Sequence, residues 1–429
     1  MIKIVTYCKK GWALLPSILL IASCHNANQE TTSSTATDSA AKALTLPQGF
    51  SASVVADSLG SVRHLALNKN GDIYVKLSAL KEGKGVLFLS DTDQDGKMDK
   101  SMGFANYPGT GIRIQGNTMY SSSNSSVYKY KLNAQGQVID TGKAEILVQG
   151  LVDKGRDNAK SIALDGNNNL YVAVGSYDET CTDAAGHGVT NCPLLDSVGG
   201  IWQFSTNKLN QSYSDAVHYA RGLKNVVGLD WNDATKSLFV TPHGRGGLNS
   251  KFPKIYTKEQ DKSLPAETLY ELGKGADAGW PYVYYDPFQH KKIVSPEYGG
   301  DGKKSVDNKY LNPVADFPAH LAPNDLLFYT GNMFPEKYKN GAFIVFHGQS
   351  QSLKKGYFVA FVPFKNGKPS GAWEVFADNF MGVDRSNPKG SYQHRPMGIA
   401  QGADGALYIA DDLKGTIFKI TYQAAKKQS

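Results

Sequence analysis

The chain has 429 residues and a modest formal net charge of +7. Its Lys and Arg residues form no dense stripe interleaved with aromatics, which argues against a nucleic-acid partner. Glycine, tyrosine and phenylalanine are abundant and helix-patterned stretches are few, so the composition points to an all-β chain with many turns.

Lys3, Lys9 and Lys10 precede an apolar run from Trp12 to Ala22 that is too short to span a bilayer but suits a signal-peptide core. The run ends in Ile21-Ala22-Ser23-Cys24, which resembles a bacterial lipobox. Residues 1–23 are therefore expected to be a cleaved signal peptide. Cys24 is expected to carry the lipid of an exported, membrane-anchored lipoprotein at the periplasmic or cell-surface side of the envelope. An ordinary signal peptide with an incidental cysteine is the plainer alternative. Residues 24–43 are rich in Ser, Thr, Ala and Asn, cannot bury enough apolar surface to fold, and read as a tether. Residues 44–424 hold the folded unit, and 425–429 form a short tail.

An internal repeat organises that unit. Ala66–Val75 recurs as Ala163–Val172, Gly228–Val240 and Ala400–Ile409, with a weaker copy at Gly111–Tyr120. Each copy reads as a hairpin: an apolar strand, a polar turn of Asn, Asp and Gly, then an alternating strand. A strand pair without that turn surrounds Leu326–Tyr329 and Ala342–Phe346. Further strands follow at Ser126–Leu132, Gly200–Phe204, Tyr357–Phe364 and Gly415–Tyr422. About six hairpin-plus-strand units predict a six-bladed β-propeller, because small twisted sheets hide their faces by stacking into a closed ring. A pair of β-sandwiches is the competing architecture and does not require the same hairpin this often.

Four segments carry candidate chemistry. Asp91-Thr92-Asp93-Gln94-Asp95-Gly96-Lys97-Met98-Asp99 places carboxylates at alternate positions around a glycine turn, which suits Ca²⁺. Met102 stands where an EF-hand glutamate would close the loop, so a weak structural site through Asp91, Asp93, Asp95 and Asp99 is expected; a solvated acidic turn is the alternative. Gly155–Ser161, just before a repeat hairpin, offers Asp157 as a general base beside Lys160, or else is a charged surface loop. Arg221–Gly228 with Pro242–Gly247 brackets another hairpin, with cations on one side and a glycine-rich segment on the other whose carbonyls can face a metal. His320–Pro323, His347-Gly348 with Lys354-Lys355, and Tyr392–Gly398 add histidine and basic residues at corresponding places, so a closed ring gathers them into an electropositive axial pocket. Cys181 and Cys192, the cysteines beyond the leader and lipid site, are expected to form a disulfide in an exported protein.

Together these segments resemble the glucose/sorbosone dehydrogenase family, from Leu46–Phe50 to Thr421-Tyr422. The most specific matches are Ala159–Ile162, Gly222–Asn225, Gly279–Tyr282, His320–Pro323, and Arg395-Pro396 leading to Asp411-Asp412; the Cys181/Cys192 loop resembles one in the sorbosone branch. The resemblance implies a six-bladed propeller using pyrroloquinoline quinone and Ca²⁺ to oxidise an aldose or sugar aldehyde, passing electrons to a further acceptor. It places the catalytic base on Asp157 where the family has histidine. Lys224 and Asn225 fall on an Arg-Asn pair, Lys160, Lys354 and Arg395 on basic cofactor contacts, and the Gly244 and Arg245 carbonyls on the calcium site. An ordinary carboxylate, with a pKa of ~4, is a weaker base than imidazole unless burial raises it. Gln349-Ser350-Gln351 and Gly246 also depart from the branch, a pattern a catalytically relaxed relative would show. A non-catalytic propeller binding carbohydrate or a partner, and a calcium-dependent lactone hydrolase, are the competing functions.

Overall fold

The computed structural model describes residues 39–306, 308–382 and 392–424. The expected signal peptide, Cys24, most of the tether and the C-terminal tail lie outside these residues. Residues 39–43 form a short helical turn, and Ala41 is buried against the ring. The packed unit thus begins a few residues before the expected boundary.

The fold is a six-bladed β-propeller. Blade 1 comprises Val62–Leu67, Ile73–Lys81, Lys84–Ser90 and Lys100–Phe104, and blade 2 comprises Ile112–Gln115, Thr118–Ser122, Val127–Lys131 and Glu145–Val148. Blade 3 contains Ile162–Leu164, Asn169–Val174, Gly200–Ser205 and Val217–Arg221, extended by the parallel Ala276–Asp277. Blade 4 contains Val226–Asn232, Ser237–Pro242, Glu267–Leu272 and Ala315–Phe317. Blade 5 contains Pro323–Phe328, Ala342–Ser350, Lys355–Val362 and Glu374–Ala377. Blade 6 takes Pro396–Gln401, Leu407–Asp411 and Ile417–Tyr422 from the end of the folded unit and its outermost strand, Phe50–Ala56, from the beginning. Pairing of the first strand with the last closes the ring non-covalently and leaves no long unpaired edge at the seam.

The predicted repeat hairpins are the two innermost strands of blades 1, 2, 3, 4 and 6, and the strand pair without that turn takes the same place in blade 5. The turns of blades 1 and 3 share one device: a side-chain oxygen of Asn or Asp captures backbone N–H groups two and four residues on. Asn68 Oδ1 accepts from Asn70 N (2.9 Å) and Asp72 N (3.0 Å), and Asp165 Oδ1 accepts from Asn167 N (2.7 Å) and Asn169 N (3.2 Å). Apolar side chains alternating along the strands then fill six separate cores, one between each pair of neighbouring blades. Each fully buried Phe, Leu or Ile contributes about 1.5–3 kcal/mol, so the stacking of faces holds the ring together.

The first strands of successive blades touch one another around the axis. Close approach there needs glycine: a Cβ on Gly228 would lie 2.4 Å from Thr241 Oγ1 and 2.9 Å from the Asp325 carbonyl carbon, and one on Gly398 would lie 2.5 Å from the Arg63 carbonyl oxygen. The hairpin turns lie on one face, here the lower. The loops that bring the chain into each innermost strand lie on the upper face, together with those joining second and third strands.

Candidate active site at the upper mouth of the ring

Asp157, Lys160, Lys224 and Arg395 all sit in upper-face loops leading into innermost strands, so the ring gathers them around one mouth. Two charged clusters form there. In the first, Lys224 Nζ lies 3.1 Å from Asp157 Oδ2 and 3.5 Å from Glu179 Oε1, while Asn225 Nδ2 donates to Asp157 Oδ1 at 3.4 Å. Arg156 pairs with the other oxygen of Glu179. Asp157 has φ of 46°, a left-handed conformation that non-glycine residues keep only where neighbours enforce it. Gly175 makes room beneath it, because a Cβ there would lie 2.4 Å from both the Asp157 carbonyl oxygen and Asn225 Oδ1.

His243 completes this cluster. Its Nε2 has two carbonyl-type oxygens as neighbours, Asn324 Oδ1 at 2.8 Å and the Pro323 carbonyl at 3.2 Å. Nε2 therefore carries the proton and Nδ1 accepts from Asn225 Nδ2 at 3.4 Å. Burial pushes the imidazole pKa down to about 4, so the ring is neutral at physiological pH.

In the second cluster Asp412 receives His347 Nε2 at 2.9 Å and Arg395 through Nε at 2.8 Å and a terminal nitrogen at 2.9 Å. Burial lowers the pKa of His347, while the bonds from His347 and Arg395 outweigh burial and hold Asp412 below the usual carboxylate range. Arg63, from blade 1, lies close enough to feel both Asp412 and Arg395, and desolvation is the main influence on it. One carboxylate is thus bonded by one arginine and lies within the electrostatic reach of a second.

Asn324 and Met397 join the clusters across the axis. Asn324 accepts from His243 through its side chain and from His64 Nε2 through its carbonyl (2.8 Å), and its Nδ2 reaches Met397 Sδ at 3.1 Å. Arg63 donates to the same sulfur at 3.2 Å. Below them the axis is filled by charge: Asp325 pairs with Arg113 at 3.3 Å, and burial raises the Asp230 pKa to about 6.

The other sequence candidates have distinct positions. Lys160 is fully buried and its Nζ donates to the Asn158 carbonyl at 2.8 Å, bracing the Asp157 loop from beneath; burial pulls its pKa to about 8. Lys354 is exposed at the tip of the hairpin formed by Ala342–Ser350 and Lys355–Val362, beside a depression lined by Gln349, Ser350 and Gln351. His320 donates Nε2 to the Asp261 carbonyl at 2.7 Å and so anchors a surface segment. Arg245 forks onto Glu297 at 2.6 and 2.8 Å in a buried pair, so its guanidinium fastens the loop. Glu267 captures Gly244 N at 2.8 Å, and burial raises its pKa. The Gly244 and Arg245 carbonyls accept no hydrogen bond among the described residues.

The acidic loop lies on the lower face, between Lys84–Ser90 and Lys100–Phe104 of blade 1, beside the hairpin turns at Gly71 and Asp404. Oxygens of Asp91, Asp93 and Asp95 lie within 4.8 Å of one another, and Asp91 Oδ1 is buried without a partner among the described residues. Asp99 departs from the expected ligand set: it accepts from Thr92 N at 2.8 Å and from the Thr92 hydroxyl. The expected disulfide joins Cys181 and Cys192, with Cα atoms 6.2 Å apart. Glu179, Arg63 and Asn324 belong to no sequence motif; each meets a partner from another blade, Lys224 for Glu179, Met397 for Arg63 and His243 for Asn324.

Comparison with known proteins agrees with this architecture. The TrAA12-like family model matches residues 44–423. A Borreliella burgdorferi protein described as uncharacterized is 24% identical over 423 residues, covering 96% of this chain and 97% of its own. A pyrroloquinoline quinone-dependent sugar dehydrogenase of Hypocrea jecorina is 20% identical over 391 residues, covering 86% and 83%. The calcium structure of a Trichoderma reesei enzyme of carbohydrate-active family AA12 superposes with a TM-score of 0.72 at 18% identity, over 89% of this chain and 97% of that one. The holo PQQ domain of Coprinopsis cinerea pyranose dehydrogenase superposes with a TM-score of 0.69 at 19% identity, over 88% and 97%. With nearly the whole folded unit matched, the chain belongs to the TrAA12-like family.

Proposed function

We propose that this protein oxidises an aldose or sugar aldehyde with pyrroloquinoline quinone bound at the upper mouth, and that it does so in the cell envelope. The observation that carries the reading is the meeting of Asp157, Lys224, Asn225 and His243 with Arg63, His347 and Arg395 around one axis. The relatives named as quinone-dependent sugar dehydrogenases support it.

The residues present suit such a group. Arg63 and Arg395 outnumber the carboxylate between them, which favours an anionic ligand. Among the described residues Asn225 Oδ1 is buried without a hydrogen bond, and the nearby Gly244 and Arg245 carbonyls are also unused, an oxygen-rich set suited to Ca²⁺. Arg395, with Arg63 beside it, would hold the quinone carboxylates, and the carbonyls of Gly244 and Arg245 would hold calcium. Lys354 would reach in from the rim, and Lys160 would act by keeping the Asp157 loop in place. When bound, the quinone supplies the hydride acceptor and the calcium ion its polarisation.

The chain's own residues supply proton handling. Asp157 accepts the proton of the sugar hydroxyl whose carbon loses hydride, leaving a C=O double bond. Lys224 keeps that carboxylate oriented and offers positive charge to the developing oxyanion. One observation favours a second reading, a relaxed propeller that binds carbohydrate without turnover: both oxygens of Asp157 are already engaged by Lys224 and Asn225.

Reconstitution of the purified protein with quinone and Ca²⁺, followed by absorbance and dye reduction with a panel of aldoses, tests both. Absence of quinone binding removes the dehydrogenase reading. Binding without turnover, restored by Asp157→His, identifies the relaxed form. Lactone opening without quinone would instead mark a hydrolase.

A further inference from the structure

A second cleft, of about 570 Å³, opens beside the disulfide loop where blade 3 meets the segment that follows it. Its distinctive lining is Tyr282, Tyr298 and Tyr310 with Arg221, Asp277 and Asp196. Tyr282 and Tyr310 are nearly parallel, 14° apart with centroids separated by 6.4 Å, and Tyr298 stands edge-on to Tyr282 at 5.0 Å. All three rings are half-buried and therefore keep surface open to the cleft.

The rings are held in place before any ligand arrives. Cys192 N donates to the Tyr282 hydroxyl at 2.8 Å, and the Tyr298 hydroxyl donates to the Cys181 carbonyl at 2.8 Å, so the disulfide loop positions both. Tyr310 packs directly on Gly279, whose φ is 95° and where a Cβ would come within 2.8 Å of the Tyr310 ring. Arg221 is fixed through Nε to Asp277 Oδ2 at 2.9 Å, which leaves its terminal nitrogens without a partner among the described residues.

This lining selects a ligand class. Ring faces offer stacking surface, while Asp and Arg side chains offer paired donors and acceptors at fixed spacing. The charges cancel, with Arg221 and Lys309 balanced by Asp196 and Asp277, which disfavours nucleic acid or an acidic polymer. A pyranose, with apolar C–H faces and a hydroxyl-bearing edge, matches both features. The cleft also adjoins the mouth. Trp280 donates Nε1 to the Glu179 carbonyl at 2.9 Å, and the Glu179 carboxylate lies 3.5 Å from Lys224 Nζ. Arg221 and Lys224 are three residues apart, hence within about 11 Å along the chain.

The geometry points to a carbohydrate subsite: the tyrosine cleft binds a neutral oligosaccharide whose reducing end extends toward Asp157 and Lys224. The inference deepens the sugar-oxidising reading, on which its second half rests. The substrate becomes the end of a glycan chain.

Calorimetric titration of the full-length protein without quinone tests the cleft on its own. The probes are cellohexaose, maltohexaose, xylohexaose and mannohexaose, each against its monosaccharide. At least one hexasaccharide is expected to bind about tenfold or more tightly than its monosaccharide. Tyr310→Ala and Arg221→Ala should each weaken that binding by about five- to tenfold, while Tyr310→Phe retains it, all with unchanged thermal midpoints. A panel in which no hexasaccharide outbinds its monosaccharide overturns the inference. So does tight binding that both alanine variants leave intact. Hexasaccharide binding in a protein that takes up no quinone keeps the cleft and sinks the dehydrogenase reading, so the two failures are separable.

Discussion

Lys224 brings its Nζ to 3.1 Å from Asp157 Oδ2 across the boundary between blades 4 and 3, although 67 positions separate the two residues. The pair gives the proposed chemistry an acceptor and a fixed positive charge. Asp157→Asn keeps the shape and removes the acceptor. Dye reduction by the quinone-loaded variant is expected to fall by about 100-fold or more with the fold intact. Lys224→Met should fall comparably and Lys224→Arg less. Full activity in Asp157→Asn would rule this residue out as the base.

Arg245 and Glu297 form a buried, bidentate pair that anchors the loop carrying the Gly244 carbonyl. Removing one partner strands the other charge in a dry environment. Arg245→Met is therefore expected to lose about 3–5 kcal/mol in urea unfolding, and Arg245→Met with Glu297→Met much less than that. A double variant as unstable as the single one would show that the loss comes from packing and not from the orphaned carboxylate.

Lys76 and Lys292 are buried, and among the described residues no carboxylate is bonded to either ammonium. Lys76 donates to the Tyr107 carbonyl at 2.7 Å, and Lys292 donates to the Tyr270 hydroxyl and, at 2.7 Å, to the Ala278 carbonyl. Desolvation pushes both pKa values down to about 7. The unfolded chain's lysines titrate near ~10.4, so between those values the unfolded state holds more protons and stability rises with pH. Each lysine costs up to roughly 5 kcal/mol below its folded pKa. The urea midpoint is expected to climb from pH 7 to pH ~9.5, and Lys76→Met should raise it at pH 7 and flatten the slope. A midpoint constant across that range in wild type and variant would contradict this account.

The lower-face carboxylates separate ligand from bystander. If Asp91, Asp93 and Asp95 hold Ca²⁺, saturating calcium should raise the thermal midpoint by the equivalent of ~2–3 kcal/mol at about a hundredfold excess over Kd. Asp93→Asn should abolish the gain. Asp99→Asn should leave it, because Asp99 faces Thr92. The same gain in Asp93→Asn would assign the calcium effect to another site.

Five of the inner hairpins were legible in the sequence because their information is local. An Asn or Asp, a Gly and alternating apolar residues specify a turn and two strands whatever lies beyond, as Asn68 and Asp165 show by bonding their own backbones. The Cys181–Cys192 bridge was legible for a similar reason, since it closes a short loop. The outermost strands were not. Phe50–Ala56 belongs to blade 6 only through pairing with Ile417–Tyr422 at the other end of the folded unit, a register no local pattern encodes.

The candidate site divides the same way. Residue types established that Asp157, Lys224 and Arg395 carry charge beside repeat hairpins, and ring closure then placed them around one mouth. Which charges remain available was decided by tertiary contacts alone: Arg245 is consumed by Glu297, Lys160 is sealed beneath its loop, Asp99 is turned to Thr92, and Asp412 collects His347 and Arg395. A sequence specifies which groups can ionise and which turns can form. Whether an ion is spent, buried or exposed depends on neighbours from other blades, and those become neighbours only when the sheets stack and the ring closes.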